Sequence, residues 1–352
     1  MKFKPTYARA AALVACLALP ATAQELQMPE VAPDMASPYA FAQSKAKAAR
    51  MEAAKTEDSG ARVIGGELAE QGEWPWQVGL LVAGAPISAE AQFCGGSMVL
   101  ERWVLTAAHC IHMKDPQGVY RDLDPRGVSI FIGDTELAPG KGDVIPVEAI
   151  FRHPAYVGSE FDNDIALIKL SRAPNVPYQT IKVPDAEFGD QLDQPGVTTI
   201  VTGWGLVEGA KQTASLREAQ IQMMSRDMCN QLMLEARAQA AAKAIGLAAQ
   251  AFGLKEDEAQ SVWAELISHV RPPMSENMLC SGTFEGGKTS CNGDSGGPLV
   301  VPLSDGSHIQ AGVVSWGMSS ASTGSCAEDA LFSAYTRVSN YVDWLNQTIN
   351  AN

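Results

Sequence analysis

The sequence predicts an all-β fold, either a sandwich or a barrel, with a helical segment inside it and a helix at 338–349. Short apolar or alternating runs fill most of 63–225 and are separated by Gly, Pro and Asp. The same sequence pattern is found again at 277–337. Short strands joined by close turns are typical of sandwiches and barrels, whereas a parallel sheet requires helices between its strands. The clearest predicted strands are Gln77–Val82, 97–105, Val128–Ile132, 164–170 and Thr198–Gly203.

The composition excludes several classes of protein. Hydrophobic residues make up 46% of the 352 and charged residues 19%, which is enough for the core of one large domain or two smaller ones. A formal net charge of −14 offers little to neutralise phosphates, so we expect no nucleic-acid partner. No stretch approaches the roughly 20 apolar residues that a membrane-spanning helix needs.

The first 23 residues have the pattern of an export signal. Its basic start, apolar run and small-residue cleavage pattern are Lys2, Lys4 and Arg9, residues 10–19, and Ala21-Thr22-Ala23. We expect cleavage after Ala23 and a secreted or periplasmic protein. Cleavage there removes Cys16 and leaves six of the seven cysteines, an even set. The alternative is a lipoprotein box at Leu13-Val14-Ala15-Cys16, which would lipidate Cys16 but leaves a very short apolar region.

Residues 24–62 read as a leader segment. They contain no cysteine, no tryptophan and no strand-like run, and a short helix is expected only around 44–55. The segment ends at Arg62, and Val63-Ile64-Gly65-Gly66 begins the ordered pattern.

Residues 231–270 interrupt the strand pattern. They hold eleven alanines and no proline, which favours helix. Apolar residues recur at helical spacing on either side of Gly253, so we predict two antiparallel helices with a hinge there. Glu256, Asp257 and Glu258 suit the first turn of the second helix.

Three distant strings supply the residue types that an activated serine requires. Serine needs a base to take its proton, and the base needs an acid to fix its tautomer. The strings are Leu105-Thr106-Ala107-Ala108-His109-Cys110, Asp162-Asn163-Asp164-Ile165-Ala166-Leu167 and Asn292-Gly293-Asp294-Ser295-Gly296-Gly297-Pro298. Each string alone has a structural explanation, but the three together indicate one catalytic set.

In this order the strings resemble those of the chymotrypsin/trypsin-like serine proteases, and the resemblance covers 63–352 apart from the helical block. Further matching motifs are Trp74-Pro75-Trp76-Gln77-Val78, Phe93-Cys94-Gly95-Gly96-Ser97, Thr202-Gly203-Trp204-Gly205, Ser315-Trp316-Gly317 and Tyr335-Thr336-Arg337-Val338. The resemblance implies two antiparallel Greek-key six-stranded barrels, with the catalytic cleft between them. We place the N-terminal barrel at about 63–175, the C-terminal barrel at about 176–352 and the helical insertion at about 231–270.

The resemblance also implies the role of each site residue. Ser295 would attack the scissile carbonyl of a peptide or protein substrate, His109 would carry the proton and Asp164 would orient His109. The backbone N–H groups of Gly293 and Ser295 would stabilise the oxyanion of an acyl-enzyme mechanism. The segment Ser315-Trp316-Gly317 would pair with the substrate as an extra strand.

Disulfides and activation are implied in the same way. The family pairing would give Cys94–Cys110, Cys229–Cys280 and Cys291–Cys326, although the spacing alone leaves the connectivity open. Cleavage after Arg62 would free the amine of Val63 to pair with Asp294 and convert a zymogen into the active form. The alternative is that 24–62 is only a linker.

The predicted specificity pocket departs from that of trypsin. Thr289 stands where trypsins carry an Asp, so a substrate cation would be buried unpaired, at a severe cost. Gly317 would leave the pocket entrance open, and Ser333 would narrow its rear. We therefore expect cleavage after uncharged apolar or aromatic residues. A separate Arg-specific protease would then be needed to cut after Arg62.

Two other functions are alternatives for this sequence. The run 293–297 also fits the G-x-S-x-G pattern of serine esterases, but those enzymes place the serine before the acid and the histidine. A catalytically silent, protease-like binding protein usually lacks the His or the Ser, and both are present here. For the helical insertion, a self-packed hairpin and a wall of the cleft both remain open.

We expect no metal and no cofactor. The remaining histidines, His112, His153, His269 and His308, have no metal-ligand spacing. Asp134, Glu136 and Asp143 lie where some relatives bind calcium, but they match that pattern poorly.

Overall fold

The computed structural model describes residues 66–115, 118–205, 213–283, 290, 293–317 and 332–352. The predicted signal 1–23, the leader 24–62, the Arg62–Val63 bond, Thr289, Cys291 and Cys326 lie outside these residues.

The described residues form fifteen strands and four α-helices. The strands are β1 Glu67–Leu68, β2 Gln77–Val82, β3 Gln92–Leu100, β4 Trp103–Thr106, β5 His112–Lys114, β6 Tyr120–Asp122, β7 Val128–Ile132, β8 Asp143–Arg152, β9 Ala166–Leu170, β10 Thr198–Gly203, β11 Arg217–Met224, β12 Met278–Gly282, β13 Pro298–Pro302, β14 His308–Gly317 and β15 Phe332–Arg337. The helices are α1 Ala186–Leu192, α2 Arg226–Phe252, α3 Glu256–Ser268 and α4 Val342–Ala351.

The first barrel closes in the order β2-β3-β4-β9-β8-β7. All its pairings are antiparallel, and closure leaves no open strand edge. The predicted strands at β2 and β7 are confirmed. The predicted strand 97–105 is instead the end of β3 and most of β4, because the chain turns at Glu101 and Arg102.

The second barrel follows the order β11-β10-β13-β14-β15-β12 and closes through the pairing of β11 with β12. Two six-stranded antiparallel barrels are therefore confirmed as the fold. Strand β1 pairs with β11 rather than with the N-terminal barrel to which we assigned 63–175. The reason lies in the register, since β12 pairs only with 222–224 and β1 occupies the same side of β11 at Arg217 and Glu218.

The helical segment 231–272 forms a compact unit of its own. Gly253, with φ +66°, separates α2 from α3, as predicted for the hinge. The backbone N–H of Lys255 donates to Glu258 Oε2 at 2.8 Å and fixes the start of α3.

The apolar side chains of α3 and the residues after it are not buried. The exposed ones are Val262, Leu266, Ile267 and Val270, at 45–47%. Helix α3 has no buried residue, and Trp263 is half-buried. No helix among the described residues has the length and apolarity needed to cross a membrane.

Candidate active site

His109 and Asp164 are brought together by neighbouring strands. His109 lies in a 3-10 turn, Ala108–Cys110, just after β4, and Asp164 comes just before β9. Strands β4 and β9 are antiparallel, with Thr106 opposite Ala166. The end of one strand therefore lies beside the start of the other, and the two side chains meet there.

The carboxylate of Asp164 binds His109 at two points. Oδ1 accepts the backbone N–H of His109 at 2.8 Å, and Oδ2 lies 2.7 Å from Nδ1 of the ring. A carboxylate accepts hydrogen bonds, so the ring nitrogen that faces it carries the hydrogen and Nε2 is left as an acceptor. The ring can then take a proton at Nε2, next to a negative charge that stabilises the imidazolium.

Asp164 is fully buried, and other polar groups satisfy it. Ser315 Oγ donates to Oδ2, and Thr336 Oγ1 donates to the backbone carbonyl of Asp164 at 2.6 Å. A buried carboxylate is costly unless it accepts several hydrogen bonds. Strands β14 and β15 of the second barrel therefore help to hold an acid from the first.

Aromatic side chains surround this pair. Phe161 lies edge-on to His109, with ring centroids 5.8 Å apart. Burial raises the pKa of Tyr156 well above its usual range, and the negative charge of Asp164 acts in the same direction. Burial likewise raises the pKa of Tyr341. Both phenols therefore stay neutral and add no charge beside the carboxylate.

Three hydrogen bonds to backbone carbonyl groups hold the loop 293–297 in place. The carbonyl of Gly293 accepts from Gln92 Nε2 at 2.7 Å, that of Asp294 from the N–H of Gly297 at 2.8 Å, and that of Ser295 from the N–H of Gly95 at 2.7 Å. Within the described part of the chain, the N–H groups of Gly293 and Ser295 donate to no acceptor. Two such unpaired donors can bind an oxygen that develops negative charge.

Ser295 and His109 are neighbours around one sulfur atom. Cys110 Sγ lies 3.5 Å from the backbone oxygen of Ser295 and 3.8 Å from His109 Nε2. Ser295 itself is half-buried. The structure therefore brings together residues of all three strings that the sequence singled out.

Asp294 points away from this site into the second barrel. Its side chain is buried, and Oδ1 accepts the N–H of Gly205 at 2.8 Å. A Cβ on Gly205 would lie 2.5 Å from the carboxylate, and one on Gly203 would lie 2.1 Å from Oδ1. These two positions therefore require glycine. The predicted partner Val63 lies outside the described residues.

Four of the five predicted pocket residues are described, and they lie at the adjoining ends of two strands. Ser315, Trp316 and Gly317 end β14, and Gly317 stands opposite Ser333 of β15. Ser333 is fully buried, and its Oγ would lie 3.4 Å from a Cβ on Gly317. Ser290 is close as well, with its carbonyl 3.5 Å from Ser333 Oγ. The fifth residue, Thr289, lies outside the described residues.

Two of the three expected disulfides are present, Cys94–Cys110 and Cys229–Cys280. The expected bridge Cys291–Cys326 lies outside the described residues.

Among the described residues, the one group that meets the spacing for a metal ion is Cys94, His109 and Cys110. Two of its three members form a disulfide, so they do not fit a metal.

Two of the three acids that the sequence offered as calcium ligands, Asp143 and Asp134, have protein partners. Asp143 binds the guanidinium of Arg172 at 2.6 and 2.7 Å, which lowers the pKa of the carboxyl. Asp134 accepts the N–H of Glu136 at 2.9 Å and lies 3.7 Å from Lys141 Nζ.

Sequence reasoning missed three residues that shape the site: Gln92, Phe161 and Thr336. Strand alternation gave no signal for Gln92, because β3 carries a bulge at this point. Leu80 pairs with Cys94 and the next residue, Leu81, pairs with Gln92, so the face of Gln92 does not follow from that of Cys94. Thr336 belongs to the matching motif 335–338, but its contact with Asp164 depends on how the barrels pack, which the motif does not indicate.

Comparison with known proteins agrees with this geometry. The family model described as Trypsin matches residues 63–345. The chain is 30% identical over 289 residues to "Transmembrane protease serine 9" of Rattus norvegicus. This alignment covers 82% of this chain and 22% of the relative. It is 31% identical over 294 residues to "Suppressor of tumorigenicity 14 protein homolog" of Bos taurus. This alignment covers 82% of this chain and 28% of the relative. The chain thus spans under a third of the length of these relatives, and by its family match it belongs to the trypsin family of serine proteases.

Proposed function

We propose that the chain is a serine endopeptidase in which Ser295, His109 and Asp164 form the catalytic triad. The observation that carries this proposal is the double attachment of His109 to a buried Asp164, at 2.8 and 2.7 Å. Beside it lies a loop in which the N–H groups of Gly293 and Ser295 have no acceptor among the described residues. Together with the family membership, this geometry supports acyl transfer from a peptide bond to a serine.

In the first half-reaction, His109 Nε2 takes the proton of Ser295 Oγ while the oxygen attacks the scissile carbonyl. Asp164 stays ionised and stabilises the imidazolium. The imidazolium then gives its proton to the leaving amine, the C–N bond breaks, and an acyl-enzyme on Ser295 remains. Water, deprotonated by His109, releases the acid by the reverse sequence.

The N–H groups of Gly293 and Ser295 form the proposed oxyanion hole. The carbonyl oxygen becomes negative in each tetrahedral intermediate, and donors already in place need no reorganisation to bind it. Removing one such donor costs about 10²–10³ in kcat where this has been measured. The glycine at 293 also lets the backbone approach the substrate closely.

For specificity we propose cleavage after uncharged residues, apolar or aromatic. The end of β14 at Ser315, Trp316 and Gly317 would hold the substrate backbone as an added strand. Thr289 would leave the pocket floor without an acid, and buried Ser333 would limit its depth. Hydrolysis of a peptide library by the cleaved protein tests this, and rapid, selective cleavage after Arg or Lys would contradict it.

We further propose that the protein is an exported zymogen. Its signal would be cleaved after Ala23, and two disulfides suit an oxidising compartment. An Arg-specific protease would cut after Arg62, and the new amine of Val63 would pair with Asp294 and order the loop that carries Ser295. An Arg62→Gln chain that resists this cleavage should stay inactive. Full activity of the uncut chain would contradict the zymogen proposal.

Hydrolysis of a chromogenic peptide anilide, in which the bond to be cut is an amide, tests the endopeptidase proposal itself before and after cleavage at Arg62. The cleaved wild-type chain should turn over the anilide, and Ser295→Ala should lose nearly all of this activity. Equal turnover by the Ser295→Ala chain would contradict the proposal.

A further inference from the structure

Gln92 is a side chain of the first barrel that reaches the loop carrying Ser295. It begins β3 and is fully buried. Its Nε2 donates to the carbonyl of Gly293 at 2.7 Å, across 201 positions of sequence. The motifs identified in the sequence do not include Gln92.

Among the three hydrogen bonds that hold the carbonyls of 293–295, the one from Gln92 differs in kind. The carbonyls of Asp294 and Ser295 accept from backbone N–H groups, those of Gly297 and Gly95. Those two bonds involve no side-chain donor or acceptor. The bond to the carbonyl of Gly293 depends on one side chain, so the sequence at position 92 controls it.

Gly293 needs such a restraint more than its neighbours do. It has no side chain and a φ of +100°, so its backbone has a wide range of accessible conformations. Rotation of this residue would turn its own N–H away from the oxygen that the N–H of Ser295 also faces. A donor on its carbonyl limits that rotation.

The amide of Gln92 is oriented for this one contact. Its Cγ lies 3.7 Å from the Cβ position of Gly79, which also faces Trp204 and Leu137. Its Oε1 is buried and has no partner among the described residues. A buried acceptor without a partner is destabilising. The opposite amide orientation would place Gln92 Oε1 against the carbonyl oxygen of Gly293. Two facing acceptors repel each other, so that orientation is less stable than the observed one.

From these contacts we infer that Gln92 is a positioning residue, which holds the N–H groups of Gly293 and Ser295 in the direction that binds a substrate oxyanion. This inference rests on the proposed function, because it assigns Gln92 to the proposed oxyanion hole. Gln92 does not touch the substrate and acts through Gly293.

Two substitutions of Gln92 separate positioning from packing. Gln92→Met keeps the length and apolar stem but removes the donor. Gln92→Glu keeps the shape and makes the donor depend on pH, because only the neutral carboxyl can donate to the carbonyl of Gly293. The matched control is Gln310→Met. Gln310 is equally buried and hydrogen-bonded, to Ser97 and Gly312, and among the described residues its side chain makes no hydrogen bond to the loop 293–297.

The measurement uses the full chain after cleavage at Arg62, with active sites counted by a fluorophosphonate that labels Ser295. Per labelled site, Gln92→Met should lower kcat by about 10- to 100-fold with little change in KM. The ratio of kcat in Gln92→Glu to that of the wild type should fall as pH rises through the carboxyl titration. Gln310→Met should keep a kcat near that of the wild type, even where it lowers the unfolding midpoint.

Two results overturn the inference while leaving the proposed function intact: a Gln92→Met kcat per labelled site that matches the wild type, or an equal loss in Gln310→Met. A wild-type chain that neither hydrolyses ester nor takes the label on Ser295 overturns the proposed function, and the inference with it. The Met variant keeps the test decisive if the Glu variant does not fold.

Discussion

The carboxylate of Asp164 bridges the backbone and the ring of the same residue, His109, with its two oxygens at 2.8 Å and 2.7 Å. This double contact fixes both the position of the turn and the rotation of the ring. Ser315 donates to the same carboxylate from the second barrel. The acid therefore connects the two barrels at the point where the proposed chemistry takes place.

Asp164→Asn tests the electronic part of this contact. An amide can present its N–H₂ group to Nδ1, which would force the wrong tautomer on His109 while the packing stays similar. We expect kcat to fall by about 10⁴-fold, which is the loss seen when the triad Asp of a serine protease is replaced by Asn. Ester hydrolysis measures this, and circular dichroism checks that the fold persists. Retention of wild-type kcat would show that Asp164 does not orient a catalytic base.

His153 should make stability depend on pH. The ring packs edge-on against Tyr341 and Trp344, with centroids 5.1 and 5.0 Å away, and its Nδ1 accepts the N–H of Ala155 at 3.3 Å. Burial lowers the pKa of His153 below its usual 6.5, although the charge of Asp162 partly offsets this effect.

The sign of that dependence follows from proton uptake. Between the folded pKa and 6.5, the unfolded chain binds more protons than the folded chain, so stability falls as pH falls through this window. His153→Gln should flatten the dependence in urea titrations at a series of pH values. His269→Gln, at an exposed histidine of 75% side-chain accessibility, is the control and should not. An unchanged slope in His153→Gln would contradict the prediction.

The two disulfides should separate stability from activity. Replacing Cys94 and Cys110 with Ala removes a link of sequence separation 16 and should cost about 3 kcal/mol in the free energy of unfolding. It should also lower kcat, because Cys110 adjoins His109. Replacing Cys229 and Cys280, separated by 51, should cost about 4 kcal/mol but leave kcat near the wild type. Denaturant unfolding and ester hydrolysis on the same samples compare the two pairs, and equal kcat in both would disprove this difference.

Ser333 and Gly317 should set the size of the proposed pocket. Ser333→Gly removes a buried hydroxymethyl group and should raise kcat/KM for aromatic relative to small residues before the scissile bond. Gly317→Ala adds a methyl group 3.4 Å from Ser333 Oγ and should do the reverse. The ratio of kcat/KM for paired Phe and Ala peptides measures both. A ratio that does not change in either variant would remove these residues from the pocket.

Sequence reasoning predicted the elements whose signals are local. Alternation and turn residues identified β2, β7 and β10, and the alanine-rich composition identified α2 and α3 around Gly253. The segments around His109, Asp164 and Ser295 predicted the candidate site, because an activated serine requires a base and an acid as well.

What the sequence could not supply depends on the packing of distant segments. The contacts of Asp164 with Ser315 and Thr336 join residues 151 and 172 positions apart. The motifs that contain Ser315 and Thr336 do not indicate that either side chain contacts Asp164. The same holds for Gln92 and Gly293. The place of β1 on the second barrel follows from the short pairing of β12, which a strand pattern does not encode.

Fluorophosphonate labelling tests the central claim most directly, the claim that His109 and Asp164 activate Ser295. The chain cleaved after Arg62 should take up one phosphonate, which tandem mass spectrometry should locate on Ser295. Ser295→Ala should take up none, and His109→Ala should react far more slowly. Labelling of the Ser295→Ala chain at the wild-type rate, or no labelling of the cleaved wild type, would contradict the claim.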